Sequence, residues 1–379
     1  MQHYEQNVDT SRRSEFIVVG GGIIGSAIAY YLARDGKDVL LLEGERIASG
    51  ASGAAAGMLA PHLESFSTPA LKNLAERSLE LIRSLVDDLS ISTPIDVALC
   101  SAGFVSPFKD LPKKSMNIGQ QEYWNRSRLR SEIPAICDQA ECAYYYPDQL
   151  QLLPGQLNRA LIDAARAKGA RYLEQQPVVS LDIQCGTVRG VETLTDSYSC
   201  NNVIIASGLG QGMGDVLSNL GINLPTVPVK GEIIAVSLPE IRLDYTIYTH
   251  DVYLVPKPGG EIWIGATSIP FNHDKRVSIK GMLRLLHEGS MWIPQLEHAA
   301  YTRSWAGLRP QTIDGLPYIG QYKGVTGLYI AAGHYRNGIL LSAVTGEIIS
   351  RLVAGESEEE LGITEFSPMR ILEKGRLVH

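Results

Sequence analysis

Apolar positions fall into two kinds of run along this chain. Phe16-Ile17-Val18-Val19 is an unbroken apolar run rich in β-branched residues, the pattern of a strand buried on both faces. Gly20-Gly21-Gly22-Ile23-Ile24-Gly25 follows, and Ser26 to Arg34 has the composition of a helix stopped at Gly36. A second strand, Asp38 to Leu42, ends in Glu43. Further on, helical spacing predicts helices over Ala70 to Leu89, Pro154 to Lys168, Lys280 to His287 and Ile339 to Val353. Strands are expected at Ala102 to Val105, Arg171 to Leu173, Asn201 to Gly208 and Leu328 to Gly333. Between Pro225 and Ala266, short β-branched runs separated by turn signals predict an antiparallel sheet. Tyr144-Tyr145-Tyr146-Pro147 reads as irregular, with the tyrosines serving ordinary packing.

The fold class expected is α/β: a Rossmann-like βαβ domain with a second, antiparallel-sheet α+β domain. The first domain is discontinuous, at 1–90, 148–218 and 302–379, and the second takes 91–147 and 219–301. A length of 379 residues suits two domains, and 45% hydrophobic content suits a sizeable core.

The opening segment carries chemistry. Gly20 permits the tight turn, Gly22 lets backbone approach a pyrophosphate, and Gly25 lets helix pack on strand. The helix start then presents free N–H groups and a positive dipole end to the phosphates. Glu43, 18 residues past Gly25, is placed to accept hydrogen bonds from both ribose hydroxyls, and its charge disfavours a 2′-phosphate. The small-residue stretch Ser49 to Met58 suits backbone wrapped closely around a large flat ligand.

A net charge of −7 without a basic stripe argues against nucleic acid and anionic membrane as partners. No run of 18 apolar residues predicts a spanning helix. Arg12-Arg13 resembles a twin-arginine signal, but cleavage at Ala27-Ile28-Ala29 would remove the fingerprint; residues 1–14 are therefore expected to be a polar tail on a cytoplasmic protein. The five cysteines form no C-x-x-C, which argues against a zinc site, a disulfide framework and a disulfide-reductase flavoprotein. No Ser-His-Asp, Cys-His or H-E-x-x-H pattern is evident.

On the stretches Gly20 to Leu32, Ala54 to Leu59, Pro228 to Glu232, Trp305 to Pro310 and Ala331 to Leu340, the chain resembles the D-amino-acid oxidase family of FAD enzymes from about Phe16 to Gly355. The last two stretches are the more specific. Within the family the likeness is greatest to members that oxidise glycine and serve bacterial thiamine (thiazole) biosynthesis. The resemblance implies FAD contacts at Ile23, Ile24, Glu43, Gly44, Ala51, Ser52, Ala56, Gly57 and Met58. It places Val178 at the adenine side and His334, Tyr335, Arg336, Asn337, Gly338, Ile339 and Leu340 along the flavin. It also implies a substrate carboxylate held by Arg309, with Tyr253 beside it and Arg336 near the same pocket. The implied partners are a small amino acid and dioxygen, and the implied assembly is a homotetramer. FAD is expected to be non-covalent, because the last cysteine is Cys200, far from the C-terminus. Where the family pattern carries a methionine after Gly-Ala-Thr, this chain has Ser268, which implies a wider or more polar pocket.

The residues themselves agree with this chemistry. A guanidinium fixes a carboxylate with two parallel hydrogen bonds, and Arg309 sits in an apolar stretch between Gly307 and Pro310. Hydride transfer to flavin needs no acid or base residue, so no catalytic acid or base is assigned. His334 is expected to order backbone. Three alternatives stay open: a sarcosine or D-amino-acid oxidase of different preference, a NAD-dependent dehydrogenase without flavin, and a flavin-binding regulator.

Overall fold

The computed structural model describes residues 12–110, 121–209 and 213–371. Most of the expected polar tail, residues 1–11, lies outside these. The first strand, Phe16–Val19, is fully buried and lies in the interior of a six-stranded sheet. Its parallel neighbours are Val39–Leu42 and Asn202–Ile205; Arg171–Leu173 and Leu328–Ala332 extend the parallel set, and Tyr318–Gln321 closes one edge antiparallel. Successive side chains of a strand point to opposite faces. Phe16 and Val18 accordingly enter one core, with the helices Ile23–Arg34, Pro154–Ala167 and Ser342–Val353, while Ile17 and Val19 enter another. That second core is closed by the antiparallel strands Val178–Gln184, Thr187–Thr193 and Ser197–Ser199. A sheet buried on both faces explains why its strands read as continuous apolar runs.

The second sheet has nine strands, mostly antiparallel. Its longest members, Thr226–Ser237 and Ala300–Thr312, pair along their whole length, with Val229 opposite Arg309 and Gly231 opposite Gly307. The boundary expected at 301/302 therefore falls inside a strand of the second sheet. Glycine and proline punctuation at Gly307 and Pro310 hides that strand in the sequence. Two other elements differ from expectation. Tyr144 to Tyr146 lie in the strand Cys142–Tyr146 rather than an irregular segment, with Tyr145 stacked on Trp124. The last helix begins at Ser342, not Ile339, because Tyr335–Asn337 forms a tighter single turn before it. Glu358, in the acidic stretch from Glu356 to Glu360, is buried and its Oε1 accepts a hydrogen bond from Gln321 N.

The two sheets meet where the Ala51–Ala54 turn touches the strand Ala300–Thr312. Trp305 Nε1 donates to Ala54 O at 3.0 Å, and a methyl on Gly307 would lie 2.5 Å from Ala54 Cβ. No helix among the described residues is long and apolar enough to cross a membrane.

Candidate active site

Along this seam runs a cavity of about 1330 Å³, continuous from Gly20 to Arg309. A pocket for a drug-sized ligand is roughly 300–1,000 Å³, so this one has room for a dinucleotide and a small substrate together. The fingerprint glycines divide the labour. Gly20 holds φ +111°, and a Cβ there would lie 2.7 Å from Ala206 O. Gly25 does not line the cavity; a Cβ there would lie 1.9 Å from Gly20 O, so its smallness seats the helix on the strand. Gly22 opens onto the cavity with only Ser52 Oγ near, at 3.2 Å from a hypothetical Cβ.

The polar groups of this end are organised but not exhausted. Ser52 Oγ accepts from Ile23 N at 2.9 Å, which leaves its own proton to donate. Glu43 accepts from Gly21 N at 2.6 Å and Glu45 N at 2.8 Å, and its remaining lone pairs are available to ribose hydroxyls. Ile24, Gly44, Ala51, Ala56, Gly57, Met58 and Val178 all line the same cavity. So does the whole segment from His334 to Leu340.

At the other end stand Arg309, Arg336 and Tyr253. Arg309 projects from Ala300–Thr312 across Gly231, where a methyl would lie 2.3 Å from Nη2. Among the described residues its one hydrogen bond is from Nη1 to Thr267 O, at 3.2 Å, and no carboxylate lies within ion-pair distance. Arg336 is different. Its Nη2 contacts Glu64 Oε1 at 3.0 Å and Tyr248 OH at 3.4 Å, so its charge is answered within the protein. Burial pushes the Glu64 carboxyl upward, and Arg336 and Arg309 draw it back. The Tyr253 ring packs against Gly265, and burial raises its hydroxyl to about 12, so it is a neutral donor at physiological pH. Ser268 is exposed and lines this end as well.

Glu64, Tyr248 and Thr267 were not singled out from the sequence. Glu64 and Arg336 are 272 positions apart, and nothing in the spacing around either points to the other. His334 is buried, with Nε2 at 3.1 Å from Thr345 Oγ1, and burial lowers it to about 3. It is neutral near pH 7 and held by a hydroxyl, the arrangement of a structural histidine.

A dinucleotide-binding βαβ unit and a guanidinium without an acidic partner, at opposite ends of one cavity, are the parts of a cofactor-dependent enzyme. Comparison with known proteins makes the class definite: residues 15–352 match the family of FAD dependent oxidoreductases, and the chain belongs to that family. FAD is its cofactor, and the cavity fits it: Gly22 leaves the approach open, Glu43 keeps free acceptors, and the volume exceeds what a substrate alone needs. The chain is similar to the glycine oxidase of Geobacillus kaustophilus, 36% identical over 96% of this chain and 99% of that protein. It is 33% identical to the glycine oxidase of Bacillus subtilis over 90% of this chain and 93% of the relative. The crystal structure of the Geobacillus kaustophilus enzyme superposes with a TM-score of 0.86 over 95% of this chain and 99% of that one, at 33% identity.

Proposed function

We propose that this enzyme oxidises glycine, with sarcosine and small D-amino acids as further substrates, by dioxygen and water to the corresponding 2-oxo acid (glyoxylate from glycine and sarcosine), ammonia or methylamine, and hydrogen peroxide. The observation that carries the reading is the charge balance at the inner end of the cavity. Arg336 is neutralised by Glu64, whereas Arg309 has no acidic partner. That leaves the Arg309 charge available to a substrate carboxylate, and a guanidinium takes a carboxylate with two parallel bonds. Tyr253, as a neutral donor beside it, adds a third bond to the same group.

Bound FAD supplies the acceptor for the hydride leaving the substrate Cα, and dioxygen then takes the electrons. The protein's own part is to hold the carboxylate, to orient the Cα–H for transfer, and to leave the amine without an anionic partner, since the Glu64 carboxylate at this end is taken up by Arg336. The segment from His334 to Leu340, with its tight turn Tyr335–Asn337, lines the cavity and would lie along the flavin. A cytoplasmic homotetramer follows from the family resemblance. So does a role in thiamine (thiazole) biosynthesis: a relative in Nostoc is the bifunctional protein ThiO/ThiG, 29% identical, of which this chain covers 54%. Light scattering of the purified protein checks the assembly. FAD is expected to leave the protein on acid precipitation, as a non-covalent cofactor does; flavin retained in the pellet would mark a covalent tether.

The test of the activity is a peroxide assay across glycine, sarcosine and small D-amino acids. Saturable peroxide with glycine supports the reading; peroxide only with bulky amines, or none at all, contradicts it.

His334 tests the absence of a base. A general base contributes roughly 10²–10⁴-fold, so His334→Ala is expected to keep kcat within about tenfold of wild type. The same residue sets an acid limit on stability. Its folded pKa of about 3 lies below the ordinary 6.5, so the unfolded chain binds the extra proton first. Its contribution is complete above pH 6.5 and falls as pH drops from 6.5 toward 3, by up to about 1.4 kcal/mol per pH unit. Melting temperatures across that window should fall less steeply for a His334→Gln variant than for wild type.

A further inference from the structure

Lys230 and Glu232 are both buried, with side chains 4% and 0% exposed, and lie 3.0 Å apart. They flank Gly231, the residue over which the Arg309 guanidinium lies. Strand alternation sends the two side chains to the face opposite the one that Gly231 leaves open. An ion pair removed from water is a costly thing to keep, and replacing such a pair by apolar residues is often neutral or stabilising. This one is tied at every point. Lys230 Nζ donates to Arg276 O. Glu232 Oε1 accepts from Ser278 N at 2.8 Å, and Oε2 accepts from Thr267 Oγ1 at 3.2 Å and Ser278 Oγ at 3.3 Å. Burial works to raise the Glu232 carboxyl, but Lys230 and Ser278 hold it below the usual range.

The network ends on the substrate arginine. Thr267 lies between the strands Glu261–Gly265 and Ile269–Pro270, where ladder bonds do not fix it. Its hydroxyl also accepts from Glu232 N at 2.9 Å, and its backbone N donates to Glu232 O at 3.3 Å. Its carbonyl is the group that receives Arg309 Nη1. Thus the sole protein hydrogen bond of the Arg309 guanidinium among the described residues is to the carbonyl of a residue that Glu232 holds by three other hydrogen bonds, through its hydroxyl and its backbone N.

Resting on the carboxylate-binding role of Arg309 argued above, we propose that Lys230, Glu232 and Thr267 are positioning residues for substrate binding. They lock the carbonyl that aims the guanidinium, and Gly231 clears the space in which it lies. A long, flexible arginine side chain otherwise loses affinity to its own rotamer freedom, and misplacement by 1 Å is enough to cost orders of magnitude.

The test is Thr267→Val, which keeps shape and removes the hydroxyl, with Thr267→Ser as the rescue. Binding of acetate, a carboxylate with no amine to oxidise, is read from its perturbation of the flavin spectrum, alongside the glycine KM and kcat. Loss of one such hydrogen-bonding group is expected to raise the acetate Kd and the glycine KM together by about tenfold, with kcat within about twofold and FAD content unchanged. Thr267→Ser should restore both constants. Glu232→Gln, which keeps the shape and drops the charge answered by Lys230, carries the same test should the valine variant fail to accumulate. Unchanged acetate binding and KM in both variants, or a fall in kcat and FAD content with binding intact, would overturn the positioning role while leaving the function standing. Wild-type protein that binds no acetate and oxidises no glycine would overturn both.

Discussion

Arg309→Leu is expected to purify yellow, to bind FAD as wild type does, and to need about two to three orders of magnitude more glycine to reach half-maximal rate. Arg309 lies at the far end of the cavity from the fingerprint and makes one hydrogen bond to the protein, to Thr267 O, so its loss leaves the dinucleotide end intact. It also leaves no buried acid uncompensated, because Glu64 already faces Arg336 and Glu232 already faces Lys230. Removing a charged partner from a desolvated carboxylate is worth several kcal/mol in binding, and this appears in KM because the interaction is present in the ground state. The measurement is a steady-state titration with glycine beside the visible spectrum. A colourless protein would assign Arg309 a structural role instead.

The second large effect separates two glycines two positions apart. Gly20→Ala is expected to yield almost no folded holoenzyme. The added methyl would lie 2.7 Å from Ala206 O and 2.8 Å from Ser207 Cα, both backbone atoms of the neighbouring strand's end, and φ +111° is strained for any residue with a Cβ. Gly22→Ala is expected to fold with a melting temperature close to that of wild-type apoprotein. Its φ of −72° is ordinary, and the nearest atom to a methyl is Ser52 Oγ at 3.2 Å. That methyl points into the space where the pyrophosphate must come close, so FAD affinity should fall by at least about tenfold, the equivalent of one lost or lengthened hydrogen bond to a charged group. Thermal melts of the apoproteins and FAD titration distinguish the two outcomes. Equal loss of folding in both would mean that Gly22, too, serves packing alone.

What the sequence discloses here depends on how local the physics is. Phe16 to Glu43 is legible because strand, turn, helix and acid follow one another within a few tens of residues, each fixed by backbone geometry. The helices Pro69–Ser92 and Pro154–Ala167 are legible for the same reason, since an apolar stripe at helical spacing is a local signal. The strand Ala300–Thr312 is not, because its glycine and proline are tolerated only by the partner strand, where Pro310 faces Pro228. The pairing of Glu64 with Arg336 is also not legible, because only the fold brings those positions together. Arg309 stands out as a guanidinium in an apolar stretch, but the carbonyl that aims it, and the buried pair behind that carbonyl, are visible only in three dimensions.

The central claim is that one cavity holds FAD and, against it, a small amine whose carboxylate rests on Arg309. Anaerobic addition of glycine to the purified yellow protein tests it most directly. The account predicts that the yellow colour bleaches with a rate that saturates in glycine, and that admitting air restores it with release of peroxide. A protein that keeps its colour in glycine and in sarcosine, or bleaches only with a reduced nicotinamide, would contradict it.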